Sequence, residues 1–101
     1  EYEQAEEEFL RVIALKPDMP DAYGGLGLVY EAQGRLKKAV AAYRKALSLK
    51  PTLVDVRYYL ASIYYGEGQY NVAEYELGIL LSLNPDHEDA RRLLMKIREG
   101  R

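Results

Sequence analysis

Residues 18–51, DMPDAYGGLGLVYEAQGRLKKAVAAYRKALSLKP, decide the architecture, because residues 52–85, TLVDVRYYLASIYYGEGQYNVAEYELGILLSLNP, follow the same pattern position by position. Pro17, Pro51 and Pro85 are spaced 34 apart, and the same step carries Tyr2 to Leu36 and Tyr70, Ala5 to Ala39 and Ala73, and Phe9 to Tyr43 and Leu77. It also carries Val12 to Ala46 and Leu80, and Ile13 to Leu47 and Leu81. Every member is apolar or aromatic, and the spacing i, i+3, i+7, i+10, i+11 draws one buried face along an α-helix. This is helix B of each unit. A second periodic segment, helix A, carries Ala22, Leu26, Val29 and Tyr30, matched by Val56, Leu60, Ile63 and Tyr64.

Local signals bound these helices. Asp18 with Asp21, Thr52 with Asp55, and Asp86 with Asp89 each set a capping side chain before a carboxylate that suits a helix N-terminus, and helix A is expected to start there. Gly34 and Gly68 fall where helix A must turn into helix B, and glycine enters the left-handed conformation without a Cβ penalty. Each unit is thus expected to be helix, tight turn, helix.

At this point the sequence resembles the tetratricopeptide repeat, with its W-x2-L-G-x2-Y, A-x3-F and P signature. The first full repeat reads Tyr23, Leu26, Gly27, Tyr30, Ala39, Tyr43, Ala46 and Pro51. The second keeps Leu60, Ala61, Tyr64, Ala73 and Pro85, but has Arg57 at the tryptophan position, Leu77 at the phenylalanine position and Leu80 in place of a small residue. The resemblance implies an all-α fold, a right-handed superhelical array of antiparallel helix pairs, or α-solenoid. A single array is expected over residues 1–101: helix B of a partial repeat over 1–17, full repeats over 18–51 and 52–85, and a C-terminal capping helix over 86–101, beginning near Glu88. In that helix Met95 and Arg98 replace the small residue and the tyrosine, as a natural array end would. The start at helix B reads as a cut. It leaves one side of Tyr2, Phe9 and Ile13 uncovered, so self-association through the open N-terminal face is an expectation to be tested.

Composition narrows the function. Of 101 residues, 49% are hydrophobic and 30% charged, too apolar a balance for disorder. A net charge of −2 with mixed signs argues against nucleic acid, which calls for a clustered basic surface. No apolar run approaches the ~20 residues of a membrane span. Cysteine is absent and His87 is the single histidine, expected on the surface behind a cap at Asp86. The few hydroxyls, Ser48, Thr52, Ser62 and Ser82, form no triad, so no catalytic residue, metal or cofactor is expected and the chain is read as no enzyme. Gly24, Gly25 and Gly27 lie inside helix A without the strand, lysine or spacing of a phosphate loop; Gly27 suits close helix packing, whereas Gly24 and Gly25 should soften the helix. Glu3, Glu6, Glu7 and Glu8 read as a solvated acidic face.

In the repeat family helix A lines a concave groove that takes extended peptides or partner helices, so the resemblance points to the helix A residues outside the shared apolar face. These are Asp21, Gly24, Leu28 and Glu31; Asp55, Tyr58, Ser62 and Tyr65; and Asp89, Arg92, Lys96 and Glu99. Gly24, Leu28, Asp55, Tyr58, Ser62, Tyr65, Arg92 and Lys96 are the candidate partner-binding residues, the tyrosines and cations suiting an aromatic or acidic peptide. Packing between successive A helices is the competing role for Tyr58 and Tyr65, and solvation of the last helix for Arg92 and Lys96. The carboxylate clamp of the co-chaperone subset is not matched: its positions hold Gly24, Leu28, Tyr59, Asp89 and Leu93. The expected function is non-catalytic: a scaffold or assembly module that holds a protein or peptide. Its alternatives are a self-assembly element and a regulatory appendage of a larger enzyme.

Overall fold

A computed structural model describes residues 1–100. It contains six helices: α1 (Tyr2–Leu15), α2 (Pro20–Ala32), α3 (Leu36–Leu49), α4 (Val54–Gly66), α5 (Tyr70–Leu83) and α6 (Glu88–Glu99). No strand occurs among the described residues. Two compact units divide the chain, Glu1–Leu53 with α1 to α3, and Val54 onward with α4 to α6.

In the first unit α2 packs on both α1 and α3. Tyr43, Ala39 and Ala46 are wholly buried, with Leu26 and Ala22 nearly so, which fulfils the helix A and helix B faces. A Cβ at Gly27 would run into the Tyr43 ring, so this glycine sets how closely α2 and α3 approach. Gly25 does the same for α1, since a Cβ there would meet the Phe9 ring. That corrects the expectation that Gly25 merely softens the helix. Tyr43 donates its hydroxyl to Glu31 Oε1 at 2.6 Å, and Tyr30 donates to Glu6 Oε2 at 3.1 Å. Helix α1 buries none of its residues fully, and Tyr2, Leu10 and Leu15 are 49%, 45% and 79% exposed.

In the second unit α5 packs on α4 and α6, around the fully buried Leu60, Ala61, Ala73, Leu77, Leu80 and Ala90. Here Arg57, at the tryptophan position, is buried and donates Nη1 to Glu76 Oε1 at 2.7 Å. Arg98, at the Tyr30 position, donates Nε to Glu74 Oε2 at 3.1 Å, across the same 24-residue separation as Tyr30 and Glu6.

Gly34 and Gly68 have φ of +75° and +79°, as the turns require. The N–H of Arg35 reaches Tyr30 O at 2.8 Å and that of Gly34 reaches Glu31 O at 3.0 Å, closing a Schellman motif; Gln69 and Gly68 repeat it on Tyr64 and Tyr65. The N-terminal caps differ from expectation. Prolines 17, 51 and 85 each open a two-residue turn that contains Asp18, Thr52 and Asp86, and the helices begin two residues beyond it. At α2 the cap is Met19, with no side-chain bond, before Pro20 in the first turn. At α6 the cap is His87, whose Nδ1 accepts the Ala90 N–H at 3.1 Å.

Candidate functional site

The face of α4 outside its core carries Asp55, Tyr58, Ser62 and Tyr65 at helical spacing. Tyr58 and Tyr65 are half-buried and both reach α6 or its cap. The Tyr58 ring lies 5.5 Å from the His87 imidazole at an interplanar angle of 32°, and 6.4 Å edge-on from Tyr59. Farther along α4, Lys96 of α6 holds Nζ 5.9 Å from the centre of the Tyr65 ring, which also lies 5.5 Å from Tyr70. A row of rings therefore runs along the α4 and α6 face, with His87 at one end and a cation at the other. Packing and exposure coexist here: the rings are held by neighbours yet keep part of their surface in solvent.

His87 is therefore no surface residue behind a cap at Asp86. Because Nδ1 accepts from the backbone, the neutral ring carries its proton on Nε2, and that edge faces Asp55 Oδ1 at 4.0 Å. Arg92 and Lys96 part company. Arg92 donates to Asp89 Oδ1 at 3.2 Å and to Glu88 Oε1 at 3.3 Å, so carboxylates of its own helix offset its charge, whereas exposed Lys96 leans over Tyr65. In the first unit, Leu28 is 47% exposed on α2 and Gly24 is buried. Glu31, in the same stripe, is engaged by the Tyr43 hydroxyl.

Sequence reasoning missed two parts of this arrangement. His87 was hidden because the turn after Pro85 moves the cap by one residue, and imidazole is not among the preferred cap side chains. The Arg57 and Glu76 pair did leave a signal: Arg57 breaks the tryptophan position in the repeat whose helix B also has Glu76 where the first has Ala42. Two departures of opposite charge in one repeat point to compensation.

Chemically, the face offers ring surface, phenolic hydroxyls, one imidazole N–H and the Lys96 ammonium, a set suited to stacking and hydrogen bonding with a polypeptide. Among the described residues no cluster of three His, Cys, Asp or Glu side chains is placed to hold a metal ion. No helix among them is long and apolar enough to cross a membrane.

Two sequence profiles described as tetratricopeptide repeat match the chain, one over residues 1–53 and one over residues 30–97. No curated protein sequence matches. Among solved structures, the crystal structure of MamA is similar at a TM-score of 0.91 and 22% identity, over 98% of this chain and 58% of that one. This chain thus spans a little over half of MamA. The first TPR of Spaghetti (RPAP3) bound to the HSP90 peptide SRMEEVD is similar at 0.90 and 16% identity, over 98% of this chain and 79% of that one. A mutant O-GlcNAc transferase from Thermobaculum terrenum is similar at 0.80 and 28% identity, over 91% of this chain but 18% of the transferase.

Proposed function

Since the chain belongs to the tetratricopeptide repeat family, we propose that it is a non-catalytic protein-interaction module, a scaffold or assembly part that holds a peptide or partner helix against its A helices. The observation that carries the reading is the ring row of α4 and α6, where Tyr58 and Tyr65 are fixed by His87 and Lys96 yet remain partly open. Rings already immobilised lose little conformational entropy when a partner lands on them, which favours them as binding anchors. Asp55, Ser62, Arg92 and Lys96 flank the row with polar groups, and Gly24 and Leu28 hold the equivalent stripe of α2. RPAP3 binds an HSP90 peptide on a similar fold; at the clamp positions this chain has Gly24, Leu28, Tyr59, Asp89 and Leu93, so a different peptide class is expected.

A photo-crosslinker in place of Ser62 tests the reading in the native lysate. A specific crosslinked partner, lost when Tyr58→Ala/Tyr65→Ala is added to a protein that remains helical, supports it. Labelling indifferent to those two tyrosines refutes it. The exposed apolar side chains of α1 favour a second reading, self-assembly; mass that rises with concentration and collapses on Leu10→Glu/Leu15→Glu is its signature.

A further inference from the structure

Helix α3 is the one helix of the six that carries cations and no anion: Lys37, Lys38, Arg44 and Lys45 all lie within Leu36–Leu49. At 100° per residue, positions 37, 38, 41, 44 and 45 fall within an arc of about 120°. The four exposed cations therefore surround Ala41, which is itself exposed. A cavity of about 320 Å³ opens between α2 and α3, lined by Tyr23, Leu26, Tyr30, Lys38, Ala41, Ala42 and Lys45. Lys45 Nζ lies 5.8 Å from the Tyr23 ring centre, Lys38 Nζ 5.6 Å from that of Tyr30, and the Arg35 guanidinium 5.1 Å from the latter.

The second repeat shows what this notch lacks. At the positions of Ala41 and Ala42 it has Tyr75 and Glu76, with Glu76 paired to Arg57 at the Tyr23 position, and at those of Lys38 and Lys45 it has Val72 and Ile79. Missing bulk and concentrated positive charge thus coincide in one unit only.

We propose that the outer face of α3 is a second docking surface, for an acidic protein segment that seats one leucine-sized side chain over Ala41 and Ala42 between the Tyr23 and Tyr30 rings. The cation arc selects negative charge, and the apolar notch selects an aliphatic anchor within it. A phosphate polymer would satisfy the first requirement and not the second, and both tyrosine rings already carry a cation near the face a base would need. None of the α4 and α6 residues takes part, so this surface and the ring row stand or fall separately.

The whole chain, ¹⁵N-labelled, is titrated with the acetylated and amidated peptide Glu-Glu-Leu-Glu-Glu. The expected result is amide shifts centred on Tyr23, Lys38, Ala41, Ala42 and Lys45, and affinity that falls with added salt. The peptide Glu-Glu-Gly-Glu-Glu should bind about tenfold more weakly, from the loss of the buried leucine surface. Ala41→Tyr, which installs the residue of the second repeat at an exposed position, should abolish binding. Lys38→Glu/Lys45→Glu should do so without filling the notch, and Tyr58→Ala/Tyr65→Ala should leave it unchanged. No shifts at millimolar peptide, equal binding of the glycine peptide, or displacement of the leucine peptide by a uridine oligonucleotide would overturn the proposal.

Discussion

Gly27 in α2 and Gly78 in α5 lie in opposite surroundings, and alanine at each should move stability in opposite directions. Alanine gains about 1 kcal/mol over glycine inside a helix. At Gly78, where a Cβ meets open space, that gain should appear almost whole as a higher urea midpoint. At Gly27 the added methyl strikes a fully buried Tyr43 ring tethered to Glu31, and overpacking of about 1–3 kcal/mol outweighs the propensity gain, so Gly27→Ala should be destabilised. The Arg57 and Glu76 pair is asymmetric in the same sense. Glu76→Ala leaves a buried guanidinium without its carboxylate, and a loss of about 3 kcal/mol in chemical denaturation is expected, whereas Arg57→Met/Glu76→Leu should restore most of it. Tyr30 adds a pH dependence. Burial first, then its hydrogen bond to Glu6 and the negative charge of that carboxylate, raise the phenol above its ordinary value of 10.0, with nearby Arg35 opposing. The native state therefore favours the protonated form. This contribution is complete below about pH 10 and is lost as pH rises through the raised native value, so the stability difference between wild type and Tyr30→Phe should shrink as pH rises above about 10.

Helix ends show what could be read from the sequence and what could not. Gly34 and Gly68 were legible because a left-handed residue in a Schellman turn has a nearly unique side-chain solution; Gly34→Ala should cost about 1 kcal/mol. The N-termini were misread because cap chemistry fits any short polar residue near a helix start, and sequence alone does not reveal that the turn after each proline takes up two residues. His87 follows from that turn. His87→Ala should lose about 1 kcal/mol through the Ala90 N–H, as thermal melts would show, while His87→Asn should retain the cap and lose only the stacking on Tyr58. Helix α3 teaches the complementary point: its charge was visible by counting helix by helix, but the net charge of the whole chain conceals it.

For the whole molecule, the 34-residue period made the helix order and most of the core legible, because the buried faces of α2 and α3 recur in α4 and α5, whereas Tyr2, Val12 and Tyr70, read onto the same face, are exposed. The candidate site was only half legible. Periodicity places Tyr58, Tyr65, Arg92 and Lys96 on helix faces, yet which cation meets a ring and which is tied up by its own helix depends on side-chain geometry. The proposed interaction role rests on that geometry. Its most direct test is to select binding peptides from a random library against the folded chain and map the strongest by amide chemical shifts. Shifts are expected along Tyr58, Ser62, Tyr65, His87 and Lys96, with at least about tenfold weaker binding to Tyr58→Ala/Tyr65→Ala. A selection that yields no binder, or binders that map elsewhere and ignore those tyrosines, would contradict it.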